Sequence, residues 1–181
     1  LVLEFYIPFL FFFLSSSTKA SRLILFCVSC SNTRLVATPA QRNSLRLQSG
    51  FEQELVVVGY LGRFHPAKDQ ANFVRAAGLV ARQFGNARFL MVGRGLDANN
   101  VQLAQWIRAT RCADRFVLLG ERADVPVCLA AMDLFCLSSR TEGFPNVVMQ
   151  AQAMGIPCIV TDINGCNEIV QHQEDGLLVP V

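Results

Sequence analysis

Leu134-Phe135-Cys136-Leu137 is followed by Ser138-Ser139-Arg140-Thr141-Glu142-Gly143-Phe144, then by Pro145 through Met154, Gly155 and Pro157-Cys158-Ile159-Val160. The first and last runs are short, apolar and unbroken, as expected of strands covered on both faces. The middle segment opens on Pro145, which suits the first turn of a helix, and stops at Gly155, which suits its end. Strand, helix and strand in succession ask for parallel pairing, because a parallel neighbour needs a crossover of this length.

The same alternation extends in both directions. Upstream, Leu55 to Leu61 predicts a strand, Asp69 to Phe84 a helix with Phe73, Ala76, Ala77, Val80 and Ala81 at helical spacing, and Arg88 to Val92 a strand. Asn99 or Asn100 caps a helix through Leu103, Trp106 and Ile107. Phe116 to Leu119 predicts a third strand, and Asp124 to Ala131 a short helix. Downstream of Val160, Gly165 to Val170 predicts a helical turn and Leu177-Leu178-Val179 a sixth strand. Repeated alternation of this kind predicts a doubly wound α/β domain with a mostly parallel sheet. A ligand of such a domain is expected at the carboxyl ends of the strands.

Residues 1–50 read differently from the rest. They hold one acid and five bases, whereas residues 51–181 hold thirteen acids and eleven bases, so the net charge of +2 belongs to the lead. With 52% hydrophobic and 17% charged residues in its 181, the chain is too apolar for a disordered protein. Its bases form no cluster of the kind that binds nucleic acid. Residues 1–14 are apolar, but Glu4 and Pro8 interrupt them and they fall short of the ~20 residues of a membrane span. No basic region precedes them, as a signal peptide requires. A second apolar patch runs from Leu23 to Val28, and residues 31–50 show no clear period. The lead is therefore expected to be an apolar segment and linker outside the fold, with the domain over 51–181. A first residue other than Met suggests a piece of a longer product.

Seven cysteines, an odd number set mostly in apolar runs, do not form a disulfide framework. Cys128, Cys136 and Cys158 read as small core residues. Cys27-x-x-Cys30 has redox or half-zinc spacing, but no second pair completes a metal site, and chance spacing is the plainer reading.

The residues that carry chemistry follow the strands. Gly62-Arg63 and Lys68 follow the first, and two cations near a helix start make either a diphosphate clamp or ordinary surface charge. Gly93-Arg94-Gly95 follows the second and reads as a tight turn; it lacks the third glycine of a dinucleotide fingerprint. Gly143 and Pro145 set up a helix start with free amides, a natural anion site, beside Glu142. Gln150 lies two turns into that helix. Asp162, Asn164, Gly165 and Glu168 follow the fifth strand as turn or cap residues on the same rim.

Taken in order, Gly62-Arg63…Lys68, Val92-Gly93-x-Gly95, Gly120, Ala131-x-Asp133, Ser138-Ser139-x-x-Glu142-Gly143-Phe144-Pro145, Ala153-x-Gly155-x-Pro157 and Gly165-x-x-Glu168 resemble the C-terminal half of retaining glycosyltransferases with the two-domain GT-B fold, family 4 in particular. The likeness covers roughly residues 54–181. It implies a Rossmann-like domain that binds a nucleoside-diphosphate sugar, UDP-, GDP- or ADP-linked, without a metal, in a hexosyltransferase of polysaccharide biosynthesis. Arg63 and Lys68 would hold the diphosphate and offset charge on the leaving nucleotide. Backbone amides around Phe144 to Val147, the stretch with Pro145 and Asn146 that follows Gly143, would assist. Glu142 would face the sugar hydroxyls. Gly120, Glu121 and Arg122 would lie near the base, and Gly62, Gly93 and Gly95 would permit close packing at the donor.

The sequence departs from that pattern in four ways. The second acid of the family's glutamate pair, which binds the ribose, is here Gln150; an amide can still hydrogen-bond a diol, without charge assistance. Gln152 stands where an apolar residue is usual. The acceptor-binding N-terminal domain has no counterpart in residues 1–50, and Val181 falls before the family's closing helices, so the chain reads as a donor-binding half that is inactive alone. Its acceptor, a glycan, lipid-linked or small molecule, would be met through the other domain, in the cytoplasm or at the cytoplasmic face of a membrane. A nicotinamide enzyme or an epimerase of the same shape is one rival reading; a nucleotide-binding or partner-binding remnant without activity is the other.

Overall fold

The computed structural model describes residues 37–181. The apolar runs 1–14 and 23–28 and the Cys27/Cys30 pair lie outside the described residues. The chain forms α1 (Pro39–Gln48), β1 (Val56–Leu61), α2 (Gln70–Gln83), β2 (Ala87–Val92), α3 (Val101–Ala109), β3 (Phe116–Gly120), α4 (Val125–Ala130), β4 (Leu134–Leu137), α5 (Asn146–Ala153), β5 (Cys158–Thr161) and β6 (Gly176–Val179). The six strands make one sheet in the order β3-β2-β1-β4-β5-β6, and every pairing is parallel. The chain therefore works outward from β1 in one direction, returns, and works outward from β4 in the other. Where two such halves meet, the connections leave β1 and β4 toward opposite faces and a crevice opens at the carboxyl ends.

The elements follow from their apolar residues. β2, β4 and β5 are enclosed along almost their whole length, as parallel strands under helices must be. α2 buries Phe73, Val74, Ala77 and Ala81 at helical spacing. Phe73 sets its ring 5.2 Å from Tyr60 and meets Phe89 edge-on, joining α2 to β1 and β2. Burying a ring of that size contributes roughly 1.5–3 kcal/mol. Asn100 caps α3 by accepting from Leu103 N at 3.0 Å. The segment from Gly165 to Val170 is a set of turns, with Val170 N donating to Cys166 O at 2.9 Å.

Helical structure reaches further toward the N-terminus than the expected domain start at residue 51. Instead of a linker up to residue 50, the structure places α1 at Pro39–Gln48 and buries Leu45 and Phe51 in the core. Thr38 and Gln41 form a reciprocal capping box, with Pro39 in the first turn. α1 packs against α4, and its two arginines converge on Asp133. Arg42 Nη2 donates to Asp133 Oδ1 at 2.7 Å and Arg46 Nη1 to Oδ2 at 2.9 Å. Arg46 also donates to the carbonyls of Ala131, Glu52 and Leu55, and Val57 N donates to Asp133 Oδ2 at 2.8 Å. The absence of an apolar period hid this helix, because charge pairing rather than a greasy stripe attaches it.

Among the described residues no helix is long and apolar enough to cross a membrane.

Candidate functional site

At the crevice, the loop after β1 meets the loop after β4. Lys68 Nζ lies 2.5 Å from Glu142 Oε1. Ser139 Oγ donates to the same oxygen at 2.5 Å, and Thr161 Oγ1 at the end of β5 donates to Ser139 O at 2.5 Å. The Glu142 side chain is only 9% exposed, which explains why its charge is met by a cation and a hydroxyl together. Both contacts use Oε1; among the described residues Oε2 accepts no hydrogen bond.

Further contacts tie the two loops to each other. Ser138 Oγ donates to Asp69 O at 2.9 Å and lies within reach of Lys68 O, and Arg140 N donates to Ala67 O at 2.8 Å. Asp69 holds a left-handed φ of 43°, a region uncommon for side chains in general but one that aspartate enters more readily than most. Its side chain caps α2 through Asn72 N, and its Oδ2 accepts from Arg140 Nε at 2.8 Å. Ser138, Ser139, Arg140, Asp69 and Thr161 were not singled out as site residues from the sequence. The serines and Arg140 lay inside a recognised motif, but only the fold brings Asp69 and Thr161 against them.

Gly62, Gly93 and Gly120 close the ends of β1, β2 and β3. Gly62 N donates to Val92 O and Gly93 N to Gly120 O. At Gly93, φ is +140° and a Cβ would fall 2.1 Å from the Gly62 carbonyl oxygen, so no side chain fits. Gly95 packs against Phe64. On the other side, a Cβ at Gly165 would fall 2.4 Å from the Gly143 carbonyl oxygen, bringing the loop after β5 against the start of α5. Pro145 is buried before α5, and no side chain caps that helix; Phe144 is 51% exposed at its mouth. Gln150 is half-buried in α5's second turn.

Two expected residues stand apart from this group. Arg122 is engaged by its own loop: its Nε and Nη2 donate to the two oxygens of Asp124 at 2.8 and 2.6 Å. That fork holds the Asp124 carboxyl below its usual range. Glu121 is exposed. Arg63, by contrast, is exposed at the crevice and its guanidinium has no carboxylate partner among the described residues. A small apolar hollow of about 40 Å³ lies beside α2, walled by core residues such as Phe73, Cys136, Ile159 and Val179. Its lining lacks charge, so it does not suit the anionic ligand that the crevice does.

The cysteines described are all free. Burial pushes Cys136 up to about 12, and burial together with the Glu142 charge does the same for Cys166, which keeps both as thiols. Among the described residues no group of three or more His, Cys, Asp and Glu side chains is placed to hold a metal ion.

The family model for glycosyl transferases group 1 matches residues 56–181. The chain belongs to that family. Within it, the group 1 domain is 34% identical over 132 residues to the UDP-Gal:alpha-D-GlcNAc-diphosphoundecaprenol alpha-1,3-galactosyltransferase of Escherichia coli, covering 72% of this chain and 34% of that protein. It is 31% identical over 145 residues to the GDP-mannose-dependent alpha-mannosyltransferase of Mycobacterium tuberculosis, covering 79% of this chain and 35% of the relative. Among solved structures, Anabaena HepE in complex with UDP-glucose superposes with a TM-score of 0.71 at 30% identity, over 80% of this chain and 40% of that one. The chain thus spans about a third of the length of these curated relatives. Its sheet is the C-terminal half of a GT-B fold, and the nicotinamide reading is set aside by the family match.

Proposed function

We propose that this domain binds a nucleoside-diphosphate sugar at the carboxyl ends of β1 and β4 and serves as the donor-binding half of a retaining family 4 glycosyltransferase. The contact between Lys68 and Glu142 at the crevice carries the reading, because it sets a cation and a carboxylate side by side where a sugar diphosphate would lie. Bond cleavage at the anomeric carbon leaves charge on the diphosphate. Arg63, exposed and without a carboxylate partner among the described residues, and Lys68 would meet that charge. The uncapped start of α5 adds amides to the same anion. Glu142 has Oε1 satisfied by Lys68 and Ser139, so Oε2 is the oxygen that would accept a donor-sugar hydroxyl. Gln150 would hydrogen-bond the ribose through its amide. Gly120, Glu121 and the Arg122 loop would flank the base, with Phe144 at the entrance.

The UDP-glucose complex of HepE and the UDP-Gal and GDP-mannose in the names of the two relatives support a sugar nucleotide as the ligand class. An acceptor, glycan or lipid-linked, would be bound by the domain these relatives carry beyond the matched third. Calorimetric titration of the 181-residue chain with UDP, GDP and ADP tests the proposal. Saturable binding of one of them is expected; a folded chain that binds none overturns it.

A further inference from the structure

Gln70 opens α2 with its side chain turned inward, only 2% exposed. Its Nε2 donates to Arg63 O at 2.8 Å and to the Tyr60 hydroxyl at 3.0 Å, and its Oε1 accepts from His65 N at 3.4 Å. The Tyr60 hydroxyl in turn donates to Lys68 O at 3.3 Å. Burial, with the nearby Glu142 charge, raises the Tyr60 phenol far above its ordinary range, so it remains a donor. One buried amide and one buried phenol thereby grip the loop at residues 63, 65 and 68.

Both cations of the crevice project from this loop, which belongs to no strand. Its backbone bonds are Phe64 N to Arg94 O, Lys68 N to His65 O and Asp69 N to Pro66 O around the turn Pro66–Lys68, and Arg140 N to Ala67 O from the loop after β4; none of them holds the backbone at Arg63. A fully enclosed amide is costly unless each of its groups is paired, and an apolar side chain would fill the same space beside Phe73 without that cost. The amide's use lies in what it holds. Two cations that must meet adjacent phosphates lose affinity when their spacing wanders by an ångström.

We propose that Gln70, assisted by Tyr60, is a positioning residue for the diphosphate: it fixes the backbone from which Arg63 and Lys68 reach the ligand. The inference rests on the donor-site reading above. A structural role alone would loosen the whole domain, whereas a positioning role weakens the part of binding that depends on the phosphates.

The test uses the 181-residue chain with Gln70→Met, which keeps volume and helix propensity but loses the hydrogen bonds, and with Tyr60→Phe. Calorimetry measures UDP, competition against UDP measures uridine, and thermal melting checks the fold. Gln70→Met is expected to weaken UDP by about tenfold with uridine unchanged. Tyr60→Phe is expected to weaken UDP by a smaller factor, again with uridine unchanged. Wild-type affinity for UDP in folded Gln70→Met overturns the inference, as does an equal loss for uridine and UDP. If Gln70→Met does not fold, Tyr60→Phe decides by the same two comparisons. A wild-type chain that ignores UDP, GDP and ADP refutes the donor site itself; a wild type that binds UDP beside an unaltered variant refutes the positioning role alone.

Discussion

Lys68 and Glu142 are 74 residues apart in the chain and 2.5 Å apart in space. Nothing local brings them together: one follows β1 and the other follows β4. The reversal of strand order between those two neighbours puts their carboxyl-terminal loops on opposite lips of one crevice. The pair is also shielded, with Lys68 21% and Glu142 9% exposed, so each depends on the other more than a surface pair does.

Replacing Lys68 by alanine therefore has two expected effects. Nucleoside-diphosphate affinity falls by more than about tenfold, since a charge-assisted contact is lost. The fold also weakens by about 1–3 kcal/mol, because the Glu142 carboxylate keeps only Ser139 as a donor. Arg63→Ala separates the two: the same order of affinity loss with an unchanged melting temperature, since its guanidinium pairs with no carboxylate among the described residues. Calorimetry and thermal melting read them side by side.

Asp133 gathers two arginines, of which the Arg46 side chain is 7% exposed. Asp133→Ala leaves that guanidinium enclosed with carbonyl partners alone and frees Val57 N, and is expected to cost about 3 kcal/mol of stability. Urea unfolding measures it. Arg42→Ala, at the more exposed partner, is expected to cost under about 1 kcal/mol.

The fork between Arg122 and Asp124 makes a small acid-dependent contribution. Arg122 hydrogen bonds depress the Asp124 carboxyl in the folded state, so the unfolded chain takes up its proton first as the pH falls. The stabilisation is therefore complete above the ordinary carboxylate range, roughly pH 4, and disappears as the pH drops through the lower folded value. Both side chains are more than a third exposed, which limits the amount to under about 1 kcal/mol. Subtracting the urea-stability profile of Asp124→Asn from that of wild type is expected to show a plateau at neutral pH that decays on acidification. A difference that instead grows toward low pH contradicts this account.

Thiol chemistry reads the core. Cys128 is pushed up to about 11, and Cys136 and Cys166 to about 12, chiefly by burial, and Cys158 is raised as well. Iodoacetamide at pH 8 is expected to modify none of these four in the folded chain and all of them in urea, with mass mapping to identify the peptides.

Much of this architecture was legible from residues 51–181. Continuous apolar runs such as Leu134–Leu137 and the Pro145/Gly155 punctuation mark strand and helix ends through local chemistry, and the structure keeps them within a residue or two. α1 was illegible for a physical reason. Its capping-box signal, Thr38 with Gln41, was present, but its attachment depends on Arg42, Arg46 and Asp133 meeting across about 90 residues, and charges give no period. The same holds at the site. Arg63, Lys68 and Glu142 stood out by type and motif. Gln70 did not, because an amide at a helix start looks like any solvent-facing residue until the fold encloses it.

The carboxylate at the crevice is held by a chain of contacts: Lys68 after β1, Ser139 after β4, and Thr161 at the end of β5 behind Ser139. No subset of these strands contains the whole arrangement. The site therefore exists only in molecules whose central sheet is fully assembled, and any ligand that selects it pulls on the cooperative unit as a whole. In amide hydrogen exchange, a bound nucleotide would slow the exchange of β1, β4 and β5 together, including amides far from the crevice that open only by global unfolding.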